Sequence, residues 1–321
     1  HRLHLILFDA ILEPGGAVPD AVAERFARDL ARQLAWDAWI REETSRVLGA
    51  LAEAGVRMCP LKGVVFAERV MAKPELRPTT DVDVLVAPAD LEEVEAALTG
   101  LGYAREPEPE SGAHAFEVRY SDGSGQVVEV HFAAHRAFGG ALEAGDLLDR
   151  AEAYVTCGGA RCVVLSAEDE ALYIAAHTTG HNFDRLSMLY DLKLALARVP
   201  EARRDRVAET ACSHGYGAAL ATSEAVLGAR LGDGRRRAGA RPAFVLAVTA
   251  ALERAPYVPG VTGAIEATML AAMHESAAAG CRYYARRVAH ASRLRLRRAV
   301  QRYREPSGHK GLALNTPYRE R

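Results

Sequence analysis

The sequence predicts an α+β chain, in which a strand-bearing first part gives way to an all-helical second part. Three observations carry this. Asp81-Val82-Asp83-Val84-Leu85-Val86 alternates acid with aliphatic residue, the period of a strand with two unlike faces. The runs 114–120 and 126–132 flank the turn-rich Ser121-Asp122-Gly123-Ser124-Gly125 and read as an antiparallel hairpin. Beyond Ser166 the apolar spacing becomes helical throughout.

Taken in order, Val22, Phe26, Leu30, Leu34, Val47, Leu48 and Leu51 recur at helical spacing between a start at Pro19-Asp20 and a stop at Gly55, which predicts one long helix or two. Val56 to Leu61 reads as a short strand, and Gly63 to Val70 as a helix entered through Lys62-Gly63. After the Asp81–Val86 strand, Pro88-Ala89-Asp90 starts a helix through Leu91, Val94, Leu98 and Leu101 that Gly102 ends. A weaker hairpin over 153–165 turns at Gly158-Gly159. Ser166-Ala167-Glu168-Asp169 is a capping pattern, and helices are predicted over 169–181, 184–198, 203–212, 215–230, 241–254 and 263–304. The expected organisation is an N-terminal helical segment (1–55) packing on a core (56–165), a helical domain (166–304) and a frayed tail (305–321).

Apolar residues make up 49% of the chain and charged residues 26%, enough to bury a core. A net charge of −2 gives no global attraction to nucleic acid or anionic membrane, so any such attraction must be local. The five cysteines are scattered without a CxxC pair, which argues against a disulfide framework or cysteine-rich zinc site and for a reducing cytoplasm. No apolar run is long enough to span a bilayer. The apolar opening, His1 to Phe8, is interrupted by Asp9 and lacks a signal-peptide cleavage site, and with no initial Met it reads as a trimmed start.

The alternation in the strand puts Asp81 and Asp83 on one face and Val82, Val84 and Val86 on the other. Two like charges on one face repel unless a cation neutralises them. A divalent ion such as magnesium, which takes hard oxygen ligands alongside substrate phosphates, is one answer; a solvated strand end is the plain alternative. In the run 126–132, Glu129 and His131 share the face opposite Val128 and Val130, so Glu129 is available as a third acid. The glycine at a strand-to-helix junction, Lys62-Gly63, is a place where backbone N–H groups can face a phosphate. Together these match a two-metal phosphoryl-transfer layout, in which three carboxylates hold two ions.

Leu61-Lys62-Gly63, Arg77 through Val86, Gly102-Tyr103, Glu129-Val130-His131 and the downstream His177, His181, Arg185-Leu186 and Tyr190-Asp191 resemble the uncharacterised nucleotidyltransferase family of the polymerase-β-like superfamily, over about residues 20–230. The resemblance implies a small mixed sheet flanked by helices, followed by the helical domain. It also implies transfer of a nucleoside monophosphate from a nucleoside triphosphate, ATP first, to a hydroxyl, with release of pyrophosphate. Members often occur in bacterial natural-product and polysaccharide gene clusters. Carried over, Asp81 and Asp83 are metal ligands for two Mg2+ (or Mn2+), Glu129 is the third carboxylate and the group that deprotonates the acceptor, and Gly63 is the phosphate-turn glycine. Lys62, Arg77, Thr80 and His131 are the other expected nucleotide contacts. The superfamily usually has Gly-Ser or Gly-Gly where this chain has Lys62-Gly63, so a cationic side chain replaces a serine contact.

Other residues have plain alternatives. Arg77 reaches a phosphate or pairs with Asp83. His177 and His181 have the i,i+4 spacing of zinc ligands, but no HExxH glutamate stands between them, so they and nearby Arg185 and Asp191 are read as cleft or acceptor contacts, with packing as the alternative. The nine arginines of 282–304 fit either a nucleic-acid grip or a solvated helix face, the second being preferred. The acceptor is expected to be a small molecule or sugar first, a protein or peptide second and RNA third. The rival function is a non-catalytic nucleotide-binding protein.

Overall fold

The computed structural model describes residues 4–12, 18–107, 116–232, 240–254, 261–274, 276, 278–286 and 289. Helix α1 (His4–Leu12) precedes α2 (Asp20–Glu53), a single 34-residue helix. Strand β1 (Met58–Pro60) leads into α3 (Gly63–Val70), and β2 (Asp81–Val86) into α4 (Leu91–Gly100). Then come β3 (Ala104–Arg105), β4 (Glu117–Ser121), β5 (Val127–His131), the pair β6 (Ala133–Ala137) and β7 (Gly140–Glu143), helix α5 (Ala144–Asp149), and the hairpin β8 (Glu152–Val155) and β9 (Arg161–Val164). Helices α6 (Ala167–Gly180), α7 (Leu186–Arg198), α8 (Arg204–Ser213), α9 (Gly217–Leu231), α10 (Ala240–Arg254) and α11 (Val261–Ala272) follow. No helix among the described residues is long and apolar enough to cross a membrane.

The α+β expectation is met. The main sheet has the order β1-β2-β5-β4-β3 and is mixed: β2 and β5 run parallel, while the other pairs are antiparallel. Parallel neighbours need a crossover, and α4 with the β3–β4 strands supplies it. The alternation of β2 divides its side chains between two apolar clusters. Val82, Val84 and Val86 pack with Val128 and Val130, Ile40, Leu48 and Leu51 of α2, and Val94 and Leu98 of α4. Leu85, from the other face, packs with Cys59, Leu61 and Phe66 and with Leu172, Leu189 and Leu220 of the helices beyond residue 165.

Buried charge joins the two halves. Glu170 on α6 receives Arg69 of α3 at 2.6 Å and Arg198 of α7. Ser166 caps α6 by accepting the Asp169 N–H, as its sequence pattern predicts.

One expectation about the fold requires correction, and one pair of strands was missed. The segment 263–304 is not one helix: α11 stops at Ala272, the chain turns at Met273–His274, and helix resumes over 278–286. The return is tight enough that a Cβ on Gly280 would sit 2.3 Å from the Ala271 carbonyl oxygen. The buried His274 ring packs on Tyr283 at 4.9 Å, so side-chain packing bends the chain. The β6–β7 pair was not predicted, because Ala133-Ala134-His135-Arg136-Ala137 has neither alternation nor strong strand formers. Residues 114 and 115 of the predicted first hairpin strand, most of the arginine-rich stretch beyond 286 and the segment 305–321 lie outside the described residues.

Candidate active site

The acid-bearing face of the parallel pair opens on a cleft of about 520 Å3, walled by the sheet on one side and by α6 and α7 on the other. All of the residues singled out in sequence line it: Lys62, Gly63, Arg77, Thr80, Asp81, Asp83, Glu129, His131, His177, His181, Arg185 and Asp191. Strand register brings the acids together, since Asp83 on β2 is the direct parallel neighbour of Glu129 on β5. Side chains of direct neighbours lie on the same face.

Asp83 is 2% exposed. Its Oδ1 lies 3.1 Å from Lys62 Nζ and 3.3 Å from His131 Nε2, whereas its Oδ2 is buried with no hydrogen-bond partner. Burial alone would raise its pKa, but the Lys62 charge and the His131 hydrogen bond outweigh it and hold the carboxyl well below the ordinary range. Glu129 shows the opposite balance. Burial and the Asp83 charge push it up to about 8, so without a further cation it keeps its proton at neutral pH. Lys62 is itself buried, which disfavours its charge, yet Asp83 and Asp81 keep the ammonium protonated. It reaches Asp81 Oδ2 at 3.4 Å, and Thr80 Oγ1 stands 3.4 Å from Asp81 Oδ1.

Gly63 opens α3 at φ +75°, a conformation that L side chains rarely adopt, and a Cβ there would meet Thr79 Cγ2 at 3.1 Å. Trp36 Nε1 donates to the Thr79 carbonyl at 2.5 Å and steadies the same loop from α2.

Arg77 does not pair with Asp83. Its Nε and Nη2 donate to the two Asp191 carboxylate oxygens at 3.0 and 2.8 Å, and Nη1 to Thr79 Oγ1 at 2.9 Å. Asp191 offers both oxygens in the fork geometry a guanidinium prefers, while Asp83 is already neutralised by Lys62. The pair ties the loop before β2 to α7.

His177 and His181 pack with tilted rings, centroids 4.6 Å apart, on the helical wall. Burial lowers the pKa of both, with the Lys62 charge adding to it. Among the described residues they belong to no group of three or more metal-ligating side chains. Arg185, at the start of α7, lies beside Asp184 at 3.9 Å.

Sequence reading missed several residues that line or lie behind the cleft. Glu117 is the cross-strand partner of His131, with Oε2 3.5 Å from Nδ1. Alternation in the hairpin could have found it. Tyr173, one helical turn before His177, has a buried hydroxyl with no hydrogen-bond partner. His135, in the unpredicted β6, is buried, bonds Tyr216 Oη at 3.0 Å, and is driven by burial and nearby His131 to a pKa of about 3; its environment was not readable in sequence.

The donor set fits a divalent cation. Asp83, Glu129 and His131 can each offer an atom within 4.8 Å of the others, and the second Asp83 oxygen is buried with no hydrogen-bond partner.

Residues 1–230 match the family described as uncharacterised nucleotidyltransferase. The chain belongs to that family. This nucleotidyltransferase is therefore an enzyme of the transferase class, and its family implies a nucleoside triphosphate substrate and a divalent metal. Solved structures that match part of this chain include the solution structure of the antibiotic-resistance factor ANT(2'')-Ia, at 15% identity and TM-score 0.38, covering 52% of this chain and 88% of that one. Another is the crystal structure of ANT(2")-Ia in complex with adenylyl-2"-tobramycin, at 14% identity and TM-score 0.41, covering 56% and 98%. Both likenesses are distant. A comparison with curated proteins finds no match.

Proposed function

We propose that this nucleotidyltransferase moves a nucleoside monophosphate from a nucleoside triphosphate, ATP first, to a hydroxyl of a small-molecule or sugar acceptor, with magnesium or manganese as the ion. The observation that carries this is the meeting of Asp81, Asp83 and Glu129 on one face of a parallel strand pair, inside a cleft closed by helices. In the reaction the acceptor oxygen forms a bond to the α-phosphorus and the bond from that phosphorus to the bridging oxygen breaks. Pyrophosphate leaves with the bonding pair.

When bound, the divalent cation lowers the pKa of the attacking hydroxyl and neutralises charge building on the phosphates. The chain's own residues do the rest. With nucleotide bound, Asp81, Asp83 and Glu129 would form the acidic floor that holds the metal, and the Glu129 carboxylate takes the acceptor proton. Lys62, already charged, faces the triphosphate, and Gly63 lets backbone N–H groups at the start of α3 approach it. Thr80 and Arg185 contribute at the rim. The neutral His177 and His181 present donors and acceptors without charge to the acceptor, and the helical part beyond residue 165 acts as the acceptor domain. Arg77 supports the site through Asp191.

The test is incubation with each of ATP, GTP, CTP and UTP, a divalent ion and a panel of hydroxyl acceptors, with pyrophosphate as the readout. Pyrophosphate release that depends on acceptor and disappears in Asp83→Ala supports the reading. Full turnover by Asp83→Ala overturns it, and silence with every nucleotide and acceptor favours the nucleotide-binding alternative.

A further inference from the structure

The three expected ligands do not stand alike. Asp81 is the most open of them, and it already has a cation: Lys62 Nζ lies between Asp81 Oδ2, at 3.4 Å, and Asp83 Oδ1, at 3.1 Å. The group of ligand atoms that lies within 4.8 Å leaves Asp81 out and takes in an imidazole instead, that of His131. For ligands 2.1 Å from an octahedral ion, adjacent donors lie roughly 3.0 Å apart. His131 Nε2 stands 3.3 Å from Asp83 Oδ1, close to that separation before any ion draws the two together.

The surroundings of His131 have the form that ligating histidines take. Such rings usually direct their second nitrogen to a carboxylate, which fixes the tautomer and the ring's orientation. Glu117, paired with His131 across β4 and β5, sets its Oε2 3.5 Å from Nδ1, near enough for an ion pair although Nδ1, itself buried, has no hydrogen-bond partner. That leaves Nε2 aimed at Asp83. Phe116 packs on the other side of the ring, with centroids 5.9 Å apart. Asp83 Oδ2, buried and without a partner, is the second independent sign that a cation belongs here.

We infer that the ion resident in this nucleotidyltransferase before nucleotide arrives is a single one, held by Asp83, Glu129 and the imidazole nitrogen of His131. Glu117 is the carboxylate that ring's other nitrogen would turn to once Nε2 binds the ion, and Lys62 supplies to Asp81 the positive charge that a second ion would otherwise bring. The inference deepens the proposed function, because it concerns the same site, but it concerns the ion before any nucleotide is present. An imidazole donor among the ligands favours a transition ion such as Mn2+ over Mg2+, which prefers oxygen and keeps its waters.

The test is Mn2+ binding to the nucleotide-free full chain, followed by electron paramagnetic resonance. One Mn2+ per chain is expected, and electron spin-echo modulation should show a nitrogen coupling that changes when wild-type protein is made with 15N-histidine. Asp83→Asn, Glu129→Gln and His131→Ala should each weaken Mn2+ by about 100-fold or more, and Glu117→Gln by roughly tenfold. Asp81→Asn should change the affinity by less than about threefold, since Asp81 supplies no ligand. Two bound ions, no bound ion, no nitrogen coupling in the wild type, or a loss in Asp81→Asn as large as in Asp83→Asn would each overturn the inference. The wild-type spectra do not depend on any variant folding. Nucleotidyl transfer with two bound ions would leave the proposed function standing and remove only the one-ion site.

Discussion

Replacing Arg77 by Met separates a strap from a phosphate ligand. The Arg77 and Asp191 side chains are 12% and 8% exposed, and two charge-assisted hydrogen bonds join them. Removing the guanidinium leaves the Asp191 carboxylate buried without a counter-charge, and breaking a buried pair from one side costs about 3–5 kcal/mol. Folded proteins have roughly 5–15 kcal/mol to lose, so Arg77→Met should still fold but melt lower, on the order of 10 °C. Arg77→Met combined with Asp191→Leu removes both charges and should recover most of that loss. The assays are denaturant unfolding of both variants and nucleotide affinity of the double variant. If Arg77 acts only through Asp191, affinity returns together with stability. A single variant within about 1 kcal/mol of wild type, or a double variant no more stable than the single, would refute the reasoning. A double variant that regains stability but binds nucleotide at least about tenfold more weakly would place the guanidinium on a phosphate.

Two further outcomes follow from the site. Glu129 holds its proton more tightly in the folded chain, where its pKa is about 8, than in the unfolded one. The stability this gives is complete below about pH 4.5 and is lost as pH rises through about 8, while the buried neutral His135, His177 and His181 act in the opposite sense up to about pH 6.5, so the melting temperature of the metal-free protein should fall between about pH 6.5 and 8. Glu129→Gln should flatten the fall, Mn2+ should offset it, and a flat wild-type profile without metal would contradict the assignment. Gly63→Ala forces a Cβ into the φ +75° position and against Thr79, at a cost of roughly 1–2 kcal/mol from the backbone alone, and should weaken triphosphate binding. Unchanged unfolding of Gly63→Ala by denaturant would show that the turn relaxes.

How much of this was legible in the sequence depends on the range of the interaction. The faces of β2 follow from a period of two within six residues, and the Ser166 cap from a four-residue pattern. Gly63 and the acids were legible for the same reason. The parallel pairing that sets Asp83 beside Glu129 was not, because nothing local distinguishes a parallel from an antiparallel neighbour. Arg77 and Asp191 are 114 residues apart, and no periodicity joins them. The turn at Met273–His274 has no Gly or Pro to announce it and is made by packing on Tyr283. β6 was missed because its alanines are poor strand formers, and with it the buried site of His135.

The charges shared between the halves also restrict how the chain can be rebuilt. Arg69 and Arg77 belong to the first half, and the carboxylates that neutralise them, Glu170 and Asp191, to the helices. A chimera that grafts foreign helices onto this sheet must bring an acid to both positions. Otherwise two guanidinium groups are stranded in the seam. The helical wall is therefore exchangeable only as a matched set, whereas single substitutions at Ser187 or Met188, which line the cleft outside these pairs, strand no charge.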